Sequence, residues 1–249
     1  MNGRPRVLLV EDDPSIRRFV GMALEALPVA LTTAANLADA RVQLQSGPFA
    51  LLITDLMLPD GSGLDLLQQL CEQQPQLRQG AELAVFSAGI TEVVRARLAG
   101  WGVHRVLSKP ITLADLERHV LECIPEASVT TQAAQSPRPQ ADIETARQAA
   151  VKRFFGGDMD LFAAFEQTCH AQFPRDIDMA DAAAAAADLA GLRRVVHSLK
   201  TVLLTLGFPD LSAVAAQAEE AAAAAAPTAV PLWHQLRAPL EALSAPRQG

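Results

Sequence analysis

Short apolar runs alternate with amphipathic stretches along the first 124 residues. RVLLV (6–10), VALTT (29–33), FALLIT (49–54), ELAVF (82–86) and VHRVL (103–107) read as five strands. Helical periodicity fills 14–26, 36–46, 63–74, 91–100 and 112–123. Strand–helix alternation with short connections predicts parallel strands in a doubly wound α/β sheet. The central runs are almost continuously apolar, as a sheet covered on both faces requires. The pattern lapses at 125–141, PEASVTTQAAQSPRPQA, which reads as a flexible linker. No strand pattern returns after it. Helices fit 142–155, 158–180, 188–206, 209–226 and 230–244, with GGD (156–158) and FPD (208–210) as turns bearing Asp caps. Poly-Ala runs at 182–187 and 221–226 favour helix, so the second half reads as an all-α bundle. The predicted organisation is 1–124, a linker at 125–141, and 142–249.

Charge narrows the function. The formal net charge of −7 argues against nucleic-acid partners, whose phosphates demand basic surfaces. Cys71, Cys123 and Cys169 are too few and too scattered for a disulfide framework or a zinc site, and read as buried thiols in a reducing compartment. MNGRPRVLLVEDDP has too short an apolar run for a signal peptide, and no membrane span is evident. A cytoplasmic protein is expected, with neither membrane nor nucleic acid as partner.

Candidate chemistry gathers where strands end. In an open parallel sheet, ligands collect at the carboxyl edge. The first strand ends in Glu11-Asp12-Asp13, the third in Asp55, the fourth in Ser87-Ala88 and the fifth in Ser108-Lys109-Pro110. Three or more carboxylates at one edge repel, and a hard divalent cation such as Mg²⁺ resolves that repulsion. A carboxylate, a metal, a hydroxyl and an ammonium together make a phosphoryl-transfer site.

VLLVEDDPSIRR (7–18), LLITDLMLPDGSGLDLL (51–67), FSAG (86–89) and LSKPI (107–111) resemble the receiver domain of bacterial response regulators over residues 5–124. The resemblance implies a flavodoxin-like fold and Asp55 as phosphoacceptor. It implies Mg²⁺ on Glu11, Asp12, Asp55 and the Met57 carbonyl, with Ser87 and Lys109 on the phosphoryl group and a cis Lys109-Pro110 bond. Asp13 falls one place past the metal pair. The aromatic residue usual three places before the lysine is here Val106, which favours relaying phosphate over driving a large conformational output.

In the second half, Val195, Leu199, Val202 and Leu206 share one side of the 188–206 helix, opposite His197. Arg193, Arg194, Lys200, Thr201 and Leu204 lie within about 60° of His197 on the wheel. The expectation is an outward-facing histidine ringed by three cations, which keep the imidazole neutral and nucleophilic. Leu204 would be an exposed landing point for a partner. Trp233, His234 and the last helix read as packing.

FFGGDMDLFAAFEQTC (154–169) and LRRVVHSLKTVLLTLGF (192–208) resemble histidine phosphotransfer (HPt) domains, which are four-helix bundles. That resemblance implies His197 as the phosphorylated residue and Lys200 as its helper, with Gln217 a further candidate for phosphoryl contact. Thr201 stands where the pattern has Gly. The expected function is two-component phosphorelay signalling, in which phosphoryl passes between protein Asp and His side chains without small-molecule turnover. Expected partners are a sensor histidine kinase or hybrid kinase and a separate receiver-domain protein. The alternatives are a non-catalytic, phosphorylation-controlled interaction switch and a phosphate sink.

Overall fold

The computed structural model describes residues 4–124 and 143–244, which divide into two compact units, one on each side of the segment between them. The expected linker at 125–141 lies outside the described residues.

The first unit is built on five parallel strands. They are β1 (Arg6–Val10), β2 (Ala30–Ala34), β3 (Leu51–Thr54), β6 (Glu82–Ser87) and β7 (Arg105–Ser108), in the order β2-β1-β3-β6-β7. Between β3 and β6 the two-residue strands β4 (Met57–Leu58) and β5 (Gly61–Ser62) form an antiparallel hairpin that the apolar pattern did not signal. Helices α1 (Pro14–Leu24), α2 (Leu37–Gln45), α3 (Gly63–Gln68), the short α4 (Pro75–Arg78), α5 (Glu92–Gly100) and α6 (Leu113–Glu122) complete the unit. The expected helix at 63–74 is continuous in space, but its last turn, Gln69–Gln73, is a π-helix. Val7, Leu8, Leu9 and Val10 are fully buried and pair with Leu51–Thr54 in parallel register. Side chains on both faces of the central strands therefore leave water, the main stabilising contribution of such a sheet.

The second unit is helical. It contains α7 (Ile143–Phe155), α8 (Met159–Ala185), α9 (Leu189–Thr205), α10 (Pro209–Ala223) and α11 (Ala229–Ser244). Helix α8 packs on α9, α9 on α10, α10 on α11 and α11 back on α8, closing a four-helix bundle with α7 against α8 and α9. Phe154, Phe155, Phe162, Phe165, Phe173, Cys169 and Trp233 fill its core, and the Trp233 indole N–H donates to Asp181 at 2.8 Å. His234, expected to pack, is exposed, because α11 turns Trp233, Leu236 and Leu240 inward instead. Cys71 is only half-buried, whereas Cys123 and Cys169 are buried as expected.

Helix termini follow the polar punctuation in part: the expected Asp210 cap is not formed, because α10 starts at Pro209 with Phe208 as its uncapped N-cap and Asp210 already inside the first turn. Asp158 caps α8 by accepting the Asp160 and Leu161 N–H groups, and Asp188 caps α9 by accepting that of Gly191. Both poly-Ala runs end their helices early, at Ala185 and Ala223, through Ala187 and Ala225 in the left-handed region (φ 54° and 50°). Gly207 (φ 89°) ends α9 against the backbone of α7, where a Cβ would come within 2.9 Å of the Ala146 carbonyl oxygen.

Candidate functional site

The strand order turns back between β1 and β3, which leaves a crevice beyond their carboxyl ends. The chain leaves β1 through Glu11 and Asp12 and leaves β3 through Asp55, and carboxylate oxygens of all three lie within 4.8 Å of one another. The Asp55 N–H donates to the Val10 carbonyl at 2.8 Å, which ties the two strand ends together. Lys109 directly follows β7, and its bond to Pro110 is cis. Its Nζ donates to Asp55 Oδ2 at 2.6 Å and to Glu11 Oε2 at 2.5 Å, and it sits 4.8 Å from the centre of the Phe86 ring. The other Asp55 oxygen, Oδ1, accepts the N–H groups of Leu56 (2.5 Å) and Met57 (3.2 Å).

The remaining predicted residues occupy the same edge. Ser87 ends β6, is buried, and donates its hydroxyl to the Gly89 carbonyl at 3.1 Å. Met57 opens the hairpin beside Asp55. Asp13 is committed elsewhere, capping α1 by accepting the Ser15 and Ile16 N–H groups. Val106 is partly buried against the sheet core.

One buried ammonium faces three carboxylates. Burial, then the charges of Asp55 and Asp12, push the Glu11 carboxyl up to about 8 despite Lys109. Burial, then Asp55 and Asp13, push Asp12 up to about 6. Burial opposes the Lys109 charge, but Glu11 and Asp55 outweigh it and raise its affinity for a proton. Convergent oxygen donors with excess negative charge are what a hard divalent cation binds, so the residues fit such an ion.

Gly63, the first residue of α3, explains how the loop after β3 closes so tightly. A Cβ there would lie 1.9 Å from the Asp55 carbonyl oxygen and 2.8 Å from Thr54 Oγ1. The Thr54 hydroxyl already donates to that carbonyl at 2.8 Å. The glycine was visible in the sequence, but its closeness to Asp55 depends on the hairpin.

In the helical unit the structure corrects the helical-wheel reading. Val195, Leu199, Val202 and Leu206 are buried as expected, but so are Leu192, Val196, Leu203, His197 and Thr201. His197 retains only 6% of its accessible surface. It does not point into solvent because α10 covers that side of α9. Its Nδ1 lies 2.7 Å from Oε1 of Glu219 on α10. The Lys200 ammonium donates to the other Glu219 oxygen, so it is paired with a carboxylate rather than turned to the ring. Burial alone would raise the Glu219 carboxyl, yet the hydrogen bonds and charges of His197 and Lys200 hold it down to about 2. Leu204 is half-buried rather than an exposed landing point, and Gln217 is exposed. Glu219 was missed because it lies two residues beyond Gln217, about 200° around α10, and only the packing of α10 on α9 selects between them. A second tie, from the Ser212 hydroxyl to the Lys200 carbonyl at 2.7 Å, fixes that packing.

A carboxylate on Nδ1 favours the tautomer with its proton there, which leaves the Nε2 lone pair free. Nε2 is buried and has no hydrogen-bond partner. The helical unit thus holds a buried, unpartnered imidazole nitrogen, and the sheet unit a carboxylate held by an ammonium.

Comparison with known proteins agrees with this division. Residues 7–121 match the family model described as "Response regulator receiver domain", and residues 160–246 match that of the "Hpt domain". The response regulator receiver protein CpdR of Brucella abortus is 35% identical over 116 residues, covering 46% of this chain and 92% of that one. Response regulator protein PilR of Pseudomonas aeruginosa is 34% identical over 119 residues, which are 47% of this chain and 25% of PilR. Sensor protein TorS of Escherichia coli is 29% identical over 235 residues, spanning 92% of this chain and 23% of TorS. The chain therefore spans about a quarter of the length of PilR and of TorS. Among solved structures, chemotaxis response regulator CheY4 of Vibrio cholerae superposes with a TM-score of 0.44 at 21% identity, covering 48% of this chain and 98% of that one.

Proposed function

The chain belongs to the response regulator receiver family; we propose that, with its Hpt domain, it is a two-component phosphorelay protein in which Asp55 and His197 carry the phosphoryl group. The observation that carries this reading is a pair of complementary nucleophiles. Asp55 has one oxygen on Lys109 and the other on backbone N–H groups, and His197 has Nδ1 on Glu219 and Nε2 unpartnered.

In the receiver domain, residues 1–124, an Asp55 oxygen attacks phosphorus of the donor. The new P–O bond forms as the bond to the leaving group breaks, and the leaving group departs with that electron pair. Lys109 and the Ser87 hydroxyl bind equatorial oxygens as charge builds on them. Glu11, Asp12, Asp55 and the Met57 carbonyl are the candidate ligands of Mg²⁺, which when bound offsets the charge of the carboxylates and phosphoryl oxygens. In the helical domain, residues 142–249, the Nε2 lone pair forms a P–N bond while the acyl-phosphate P–O bond of a phosphorylated receiver breaks. The carboxylate leaves with the electron pair. Glu219 offsets the positive charge that develops on the ring, and Lys200 orients Glu219. Both phosphorylated forms are high in energy, so transfer runs in either direction. A sensor histidine kinase and a further receiver-domain protein are the partners this chemistry calls for.

The test is to incubate the full chain with Mg²⁺ and a labelled small-molecule phosphodonor. Acid-stable label is expected at Asp55 and alkali-stable label at His197, each abolished by the matching substitution, Asp55→Ala or His197→Ala. A His197 that stays unlabelled with the phosphodonor and with phosphorylated receivers rejects the relay and leaves the bundle as a binding module.

A further inference from the structure

Three buried side-chain polar atoms without hydrogen-bond partners fall on one line of α9: Arg193 Nε, His197 Nε2 and Thr201 Oγ1. Their spacing, four residues each way from the histidine, puts them on one helical face with Cβ atoms about 5–6 Å apart. Side chains on a helix lean toward its N-terminus, so Thr201 leans back over His197.

The hydroxyl of Thr201 is unusual within this bundle. A helical threonine ordinarily donates to the carbonyl four residues earlier. Thr205 does so to the Thr201 carbonyl, and Thr168 to that of Ala164, each at 2.9 Å. Thr201 makes no such bond, although it retains only 6% of its surface. A buried hydroxyl without a partner is destabilising, and a valine of nearly the same shape would avoid that cost. The neighbouring orphan is complementary. With its proton on Nδ1, the ring offers an acceptor at Nε2, and the hydroxyl is a donor. A phosphoryl group on Nε2 would supply the oxygens that the hydroxyl lacks.

Resting on the reading of His197 as the phosphorylated residue, we propose that Thr201 is a phosphoryl-binding residue of the helical domain, its hydroxyl donating to an oxygen of the group on His197 Nε2. Arg193, one turn to the other side, adds positive charge to the same strip. In transfer, three phosphoryl oxygens share the developing charge, and a donor already in place beside Nε2 lowers the barrier without reorganising solvent. A residue with both bulk and a hydroxyl here closes the histidine to water and opens a contact to phosphate.

The test uses the full chain carrying Asp55→Ala, so that label on the histidine is not drained, with labelled phosphoramidate as donor. The P–N bond of phosphoramidate breaks with its electron pair going to ammonia as the P–Nε2 bond forms. Thr201→Val is expected to slow formation of alkali-stable label at His197 on the order of 10-fold, as loss of a hydrogen bond to a charged group does. Thr201→Ser is expected to restore most of the rate. The denaturation midpoint of Thr201→Val is expected to equal or exceed that of the parent, which separates lost chemistry from lost folding. Valine at the parent rate overturns the proposal, and so does a serine variant as slow as valine. If the parent itself never acquires label at His197, from phosphoramidate or from a phosphorylated receiver, the reading of His197 fails, and the proposal falls with it.

Discussion

Glu219→Ala removes the group that orients His197 and leaves Lys200 without its partner. The Glu219 carboxyl sits at about 2 in the folded protein against an ordinary value of 4.5. At about 1.4 kcal/mol per pH unit this is a preference of roughly 3 kcal/mol for the charged form, shared between His197 and Lys200. The side chain keeps 15% of its surface in solvent, and screening lowers the usable figure; about 2 kcal/mol remains. A hydrogen bond between His197 and a charged carboxylate falls in the same range, about 1.5–3 kcal/mol. If half to all of this acts on the ring while phosphorus is attacked, Glu219→Ala slows phosphohistidine formation roughly 5- to 30-fold. Glu219→Gln keeps an oxygen that accepts the Nδ1 proton and loses only the charge, so its loss should be about 3-fold. The assay is the initial rate of alkali-stable labelling at His197 from a phosphorylated receiver. Glu219→Ala labelled at the wild-type rate would refute the assignment. The stability effect has a definite sign. A depressed carboxyl stabilises the fold above pH 4.5 and loses that contribution as pH falls from there through about 2. Acid unfolding should therefore cost the wild type more, relative to neutral pH, than it costs the alanine variant.

The acidic edge of the receiver carries the opposite sign. Glu11 (about 8) and Asp12 (about 6) hold protons in the folded state that the unfolded chain releases near its ordinary values of 4.5 and 3.8. Metal-free stability should fall as pH rises across that window, and the increase in Tm from added Mg²⁺ should grow with it; an increase constant from pH 5 to 8 contradicts this. Gly63→Ala places a methyl 1.9 Å from the Asp55 carbonyl oxygen. It should destabilise the receiver by about 3 kcal/mol or more and abolish acid-stable labelling, so unchanged denaturation and labelling would refute the close approach. Ala187→Gly and Ala225→Gly relieve left-handed alanines (φ 54° and 50°) at helix ends. Each should raise stability by about 1 kcal/mol in urea denaturation, and a loss of stability would show that the alanine methyl packs.

What was legible followed the reach of each sequence signal. The receiver site could be read because apolar runs end abruptly in Glu11-Asp12, Asp55, Ser87 and Lys109, and a parallel sheet gathers all its carboxyl ends on one edge. Local chain direction there suffices to predict what meets. The bundle allows no such inference. A single helical wheel divides α9 into apolar and polar faces, but it cannot show that α10 and its neighbours bury both. His197 therefore read as exposed with Lys200 as its helper, and on α10 only Gln217 was considered, for phosphoryl contact, so Glu219 was passed over. The Met57–Ser62 hairpin and the π turn at Gln69–Gln73 escaped notice because each is set by a few backbone hydrogen bonds and leaves no periodicity.

The two sites are electrostatic inverses, and that inversion bears on reversible transfer. The Asp55 carboxylate is held by Lys109 and two backbone N–H groups, which in the proposed relay would make it a modest nucleophile and a well-stabilised leaving group. His197 has a carboxylate on Nδ1, so in the proposed relay attack through Nε2 would develop its positive charge beside an anion. A ring of free cations, the arrangement the wheel implied, would have opposed that charge at the moment it formed. Placing Glu219 between His197 and Lys200 gives the ring a compensating anion, which His197 first and Lys200 second hold in its charged form. On the proposed relay, Lys109 favours phosphohistidine by stabilising the free Asp55 carboxylate and Glu219 favours it by stabilising the charged ring, so substitution at either position should shift label from His197 toward Asp55.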